Sequence, residues 1–143
     1  YQIITPKDSN DFDRYYYFRW EYLRKPLDKQ LGSEKDDIEY KSIHRMVIDK
    51  NKNIIAVGRV HNNTPVETQV RYFAVDKKYR RNGLGTHLMK DLERIALTNN
   101  STKMILNARV NAIKFYEKLG YKISKKTNLL FGKIQHYEMK KVL

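Results

Sequence analysis

Four cations and two glycines crowd the nine residues KKYRRNGLG, Lys77–Gly85, between the apolar run YFAV and a leucine-spaced segment. Strand, basic loop, glycines and helix, in that order, can hold phosphate. The first N–H groups of a helix lack intrahelical acceptors and carry partial positive charge. They receive phosphate well where nothing bulky intervenes. Gly83 and Gly85 remove the Cβ atoms that would block the approach. Thr86 adds a hydroxyl, and Arg80 and Arg81 add cationic donors. The chemistry is that of a pyrophosphate cradle. The R-x-x-G-x-G spacing alone is a weak signal, because glycine also marks ordinary turns. It is not a Walker loop, since no Gly-Lys-Ser/Thr follows. A dinucleotide fingerprint fits poorly too: it needs three glycines and an acid after the second strand, and here the next strand ends in LNAR.

The elements that must position this loop follow from hydrophobic spacing. YQIIT reads as a short strand ended by Pro6. Asn10–Arg24 is aromatic-rich and helical in period, with Phe12, Tyr16, Arg19 and Leu23 on one face and Trp20 beside them. KPLDKQLGSEKDD breaks that helix, and Ser33 before Glu34, Asp36 and Asp37 is placed to cap a short second one. HRMVID and NIIAVGRVH are strands joined by a turn at Lys50-Asn51-Lys52-Asn53, and ETQVRYFAVD is a long strand. GLGTHLMKDLERIAL is a helix with Leu84, Leu88, Leu92 and Ile95 along one side. KMILNA is a strand. NAIKFYEKL is a short helix, with Asn111 as its N-cap and Gly120 just past its end. YKISKK and KIQHYEMKKV close the chain as strands. The order predicts an α/β (α+β) protein with a mixed, mostly antiparallel sheet.

The 143 residues suit a single domain, 1–143. There is no cysteine, which excludes disulfides, thiolate nucleophiles and Cys-ligated zinc and fits a cytoplasmic setting. No apolar stretch is long enough to span a membrane, and no signal peptide pattern is visible. His44, His61 and His87 show no ligand spacing, so no metal is expected. The net charge of +13 draws anions, whether nucleic acid, acidic proteins or phosphorylated small molecules. From Lys103 to Leu143 ten cations face two acids, Glu117 and Glu138, while acids gather at Glu34–Glu39. One end should therefore be electropositive.

YFAVDKKYRRNGLGTHLM resembles the acetyl-CoA motif of the GNAT N-acetyltransferase superfamily, a strand feeding an R/Q-x-x-G-x-G/A turn and helix. AIKFYEKLGY resembles the family's next motif, F-Y-x-x-x-G-F/Y, at the separation the family uses. The likeness is strong over Ile54–Tyr121. FRWEYLRKPL and GSEKDDIEYKSIH resemble the N-terminal part of a bacterial subgroup sometimes fused to a thioesterase-like domain, and IQHYEM resembles its last strand. The resemblance implies the acyl-CoA N-acyltransferase fold: six to seven strands, about four flanking helices and splayed central strands.

It also implies roles. Backbone N–H groups of Arg81, Asn82, Gly83, Leu84, Gly85 and Thr86 would hold the pyrophosphate of acetyl-CoA, with Arg80 beside them. The main chain of Phe73, Ala74 and Val75 would bind the pantetheine arm and polarise the thioester carbonyl. Tyr116, with Phe115 next to it, stands where the family often has its general acid. The family's cofactor-binding Asn, seven residues before that Tyr, is replaced here by Arg109. Asn107 and Asn111 are the nearest substitutes. Glu67 and His136 are the candidate bases. Trp20, Arg24, Glu34, Asp37 and Arg71 are candidates for the acceptor cleft.

The expected activity is acetyl transfer from acetyl-CoA to a primary amine, by direct attack in a ternary complex. The acceptor, small molecule or protein, is open: the acids near Glu34 suit a cationic amine, and the basic C-terminal part suits an acidic carrier. A monomer or homodimer is expected, away from membranes. The rival readings are a silent acyl-CoA sensor and, less favoured for want of a binding motif, a nucleic-acid-binding domain.

Overall fold

The computed structural model describes residues 1–143. In chain order come β1 (Gln2–Ile4), α1 (Ser9–Leu23), β2 (Ile43–Ile48), β3 (Ile54–Thr64), β4 (Glu67–Val75), α2 (Leu84–Thr98), β5 (Lys103–Arg109), α3 (Ile113–Lys118), β6 (Lys122–Leu130) and β7 (Ile134–Val142). The strands form one sheet in the order β1-β2-β3-β4-β5-β7-β6. β4 and β5 are parallel, as a strand pair joined by a helical crossover must be. The pairs β1–β2, β2–β3, β5–β7 and β6–β7 are antiparallel. The expected mixed, mostly antiparallel sheet is what forms.

The chain divides into two compact units: Tyr1–His61 with Tyr72–Leu92, and Asn62–Arg71 with Glu93–Leu143. In the first, α1 starts where the Asp8 side chain accepts from Asp11 N, and ends just before Pro26. It buries Tyr15 and Phe18 against Met46, Val57 and Ala74. The β2–β3 turn is set by Asp49, whose Oδ1 accepts from Asn51 N and Asn53 N, with Lys52 left-handed at φ 65°. Leu84, Leu88, Met89 and Leu92 of α2 are buried. They can lie close because β3 offers Gly58 there. A Cβ on Gly58 would stand 3.0 Å from Leu92 Cδ1 and 3.4 Å from Phe73 Cδ2.

In the second unit Met104, Leu106, Tyr116, Tyr121 and Met139 are buried. Helix α3 ends in a left-handed Gly120, φ 99°, with Gly120 N donating to Glu117 O and Tyr121 N to Tyr116 O. The expected Gly120 stop is therefore present.

Two sequence expectations need correction. No second helix follows Ser33: its Oγ donates to Gln30 O in a turn, and only a 3-10 turn forms later, at Glu39–Lys41. Of the acids that would have opened that helix, Asp36 pairs with the buried Arg59, Glu34 accepts from Gly32 N, and Asp37 is exposed. Asn111 does not cap α3. It lies exposed in a 3-10 turn, Val110–Ala112, and Ala112 occupies the cap position with no side-chain bond. The α-helices number three, in keeping with the expected fold of about four flanking helices.

Candidate active site

After β4, Asp76 Oδ1 accepts from Lys78 N and starts a 3-10 turn at Lys77–Tyr79. Arg80 Nε then donates back to Val75 O at 3.3 Å. Arg81 and Gly83 both adopt left-handed φ, 68° and 79°. These two reversals swing the chain into α2, whose first intrahelical bond is His87 N to Gly83 O, 3.0 Å. The N–H groups of Leu84, Gly85 and Thr86 therefore fall before any intrahelical acceptor. Arg81, Asn82 and Gly83 are exposed, and a Cβ built on Gly83 meets no atom within 4 Å. Room, bare donors and cations coincide, and the residues fit a diphosphate.

Strand β4 buries Val70, Tyr72 and Ala74, while Phe73 and Val75 are half-buried. Within it Tyr72 takes φ 54°, a left-handed turn inside a strand. Around Tyr72 lies a charged cluster. Arg19 and Arg59 are fully buried. Arg19 Nη1 donates to Glu39 Oε2 at 2.8 Å, and Arg59 forks onto both oxygens of Asp36 at 2.7 and 2.9 Å. Burial would be prohibitive for such cations without carboxylates paired to them.

His44 closes the cluster. Its Nε2 faces Glu39 O at 2.8 Å, so Nε2 carries the proton, and Nδ1 accepts from the Tyr15 hydroxyl at 2.9 Å. Burial pushes the Tyr15 phenol up to about 12 and holds His44 below its ordinary 6.5. The ring thus takes a proton less readily in the folded chain than in the unfolded one. Its contribution to stability is complete above about pH 6.5 and is lost as pH falls below that, toward the lowered native value. Thermal unfolding is expected to drop more between roughly pH 7 and pH 5 in the wild type than in His44→Gln. Equal slopes would show that another group governs the acid limb.

The candidates for the acceptor cleft separate. Trp20 Nε1 donates to Lys29 O, Arg24 Nε to Ser33 O, and Glu34 Oε1 accepts from Gly32 N. Trp20 and Arg24 tie residues 29–34 to the end of α1, and Glu34 closes a turn within that segment. Asp37 and Arg71 are exposed.

In the second unit Tyr116 is buried, its ring edge-on to Phe115 at 5.0 Å and to Tyr121 at 5.9 Å. Burial raises its pKa, with Arg109 opposing, so the phenol keeps its proton through the neutral range. The Tyr121 hydroxyl donates to Glu93 at 2.7 Å, and Lys141 Nζ donates to both Glu93 oxygens at 3.0 and 3.2 Å. This stitch holds the end of α3. His136 pairs with Arg109 across β5–β7, and its Nδ1 lies 3.0 Å from Ile134 O. That contact makes Nδ1 the donor and leaves basicity to Nε2. Glu67 accepts from Asn63 at 2.9 Å and pairs with Lys103 at 3.4 Å, and its pKa is lowered, chiefly by Asn63. Asn107 and Asn111 are exposed.

The strand–turn–helix with its bare N–H donors fits the diphosphate of an acyl-CoA cofactor, the donor of an acyl-CoA-dependent transferase. The chain belongs to the GNAT acetyltransferase domain family, whose model matches residues 23–143, across both units. Over 140 residues it is 30% identical to an uncharacterized N-acetyltransferase, YjcF, of Bacillus subtilis, covering 98% of this chain and 99% of that one. Its fold matches an aminoglycoside 6'-N-acetyltransferase solved with coenzyme A, with a TM-score of 0.81, 17% identity and coverage of 99% and 97%. It also matches a GNAT acetyltransferase of Staphylococcus aureus Mu50, with a TM-score of 0.81, 15% identity and coverage of 99% and 98%. The expectations of GNAT fold and acetyl-CoA-dependent N-acetyltransferase are met. No helix is long and apolar enough to cross a membrane, and no group of three or more His, Asp or Glu could hold a metal ion.

Proposed function

We propose that the protein acetylates a primary amine by direct transfer from acetyl-CoA in a ternary complex. The observation that carries this is the left-handed turn at Arg81 and Gly83, which presents the bare start of α2 to open space. In this reading the N–H groups from Arg81 to Thr86 hold the pyrophosphate, helped by Arg80 and Arg81. The main chain of Phe73–Val75 holds the pantetheine arm and polarises the thioester carbonyl. Asn107, Asn111 and Phe115 border the cofactor.

The amine nitrogen bonds to the carbonyl carbon, the carbon–sulfur bond breaks, and the departing thiolate takes the proton of Tyr116. With no cysteine in the chain, acetyl is never parked on an enzyme thiol. The amine's own proton passes to His136, directly or through water. Glu67 is the second candidate base, weakened by its engagement with Asn63 and Lys103. The acceptor carries an amine on a small molecule or a protein. Support for the small-molecule case is the similarity to an aminoglycoside acetyltransferase.

The test is thiol release from acetyl-CoA against a panel of amino acids, polyamines, aminoglycosides and peptide N-termini. At least one amine should accelerate release above the acceptor-free rate and yield the acetylated product by mass. Tight acetyl-CoA binding with no transfer to any class would replace this reading with a silent sensor.

A further inference from the structure

We propose that Arg19, Arg24 and Arg59 form a clamp on the Tyr72 ring that holds the left-handed turn in β4, making all four positioning residues for the Phe73–Val75 main chain. The proposal rests on the acetyl-transfer reading above.

A non-glycine residue at φ 54° in a strand costs free energy, and persists only where its surroundings over-determine it. Here the surroundings are three guanidinium groups. Their Cζ atoms lie 4.1 Å (Arg19), 4.9 Å (Arg59) and 5.6 Å (Arg24) from the Tyr72 ring centroid. A planar cation over an aromatic face is attracted to it, and more strongly when both are dry. Tyr72 is 8% exposed, Arg24 7%, and Arg19 and Arg59 0%.

The arginines cannot simply follow the ring, because their heads are tied elsewhere. Arg19 donates to Glu39, to Glu34 O and to the Tyr15 hydroxyl. Arg59 is forked onto Asp36 and touches Glu39. Arg24 donates to Ser33 O and Leu23 O. The ring must therefore follow the arginines. The Nε atoms of Arg19 and Arg59 are buried without a hydrogen-bond partner. Unsatisfied donors are costly, so these heads are not arranged for hydrogen bonding alone. What they gain in that placement is the ring face. The residues that leave the clamped turn are Phe73, Ala74 and Val75.

The test reads the bound thioester by infrared difference spectroscopy, with no acceptor present. A hydrogen bond from the main chain lowers the carbonyl stretching frequency of bound acetyl-CoA relative to free. Tyr72→Leu removes the ring, and Tyr72→Phe keeps it; Arg24→Gln loosens the outermost arm and serves if Tyr72→Leu does not fold. Wild type and Tyr72→Phe should show the lowered frequency. At saturating acetyl-CoA, Tyr72→Leu and Arg24→Gln should lose most of that lowering while still binding the cofactor, because the diphosphate is held at the start of α2. A folded Tyr72→Leu or Arg24→Gln with the wild-type frequency overturns the clamp, as does loss of the lowering in Tyr72→Phe or its absence in wild type. Wild type that binds no acetyl-CoA overturns the acetyl-transfer reading instead.

Discussion

Gly83→Asp should lower acetyl-CoA affinity by on the order of 10²-fold while the protein stays folded, the equivalent of about 3 kcal/mol. The substitution places a carboxylate where the proposal places a diphosphate, so like charges meet at the start of α2. Two features keep the fold out of the result. The added Cβ meets no atom within 4 Å. The left-handed φ of 79° is one that aspartate tolerates better than most residues. Gly83→Asn supplies the control, with the same shape and no charge. Calorimetric titration of the three proteins with acetyl-CoA decides it: equal affinities would move the diphosphate away from this turn.

Tyr116→Phe should reduce turnover roughly 10- to 10³-fold with little change in cofactor affinity. The ring would keep its edge contacts with Phe115 and Tyr121, so packing is preserved and only the proton is removed. Because burial raises the phenol's pKa, Tyr116 should contribute no falling limb to the rate profile below pH 10. A falling limb near neutrality would belong to another acid. Turnover equal to wild type would leave solvent as the proton source.

The strand–turn–helix around Gly83 was legible because its signal is local. Glycine, cations and a leucine-spaced helix stand within one short stretch, so turn and helix are both read from neighbouring residues. The short helix carrying Tyr116, with its Gly120 stop, was legible for the same reason. The charged cluster was not. Arg19 was read on an aromatic helix face, while Arg59 passed as one letter of the strand NIIAVGRVH. Their counter-ions Asp36 and Glu39, however, lie twenty or more residues away in a polar loop. The same carboxylates also accept from the local chain, Asp36 Oδ1 from Ile38 N and Glu39 Oε2 from Asp36 N, in a turn rather than a second α-helix. Tyr72 carried no hint of its turn, since tyrosine is not a residue that favours positive φ. Asn111 misled because a helix entered through a 3-10 turn needs no side-chain cap at that position.

The inward-turned acids leave a mark on the outside. Asp36, Glu39, Asp91 and Glu93 are spent on Arg59, Arg19, Arg45 and Lys141. Each pair cancels where it sits, so the whole excess of +13 is left to be displayed by the remaining side chains. A polyanion drifting nearby meets a net positive field, and that pull fades as ionic strength rises. Capture of the acetyl donor should therefore be fast in dilute buffer and slow in brine, even when its final grip is unchanged.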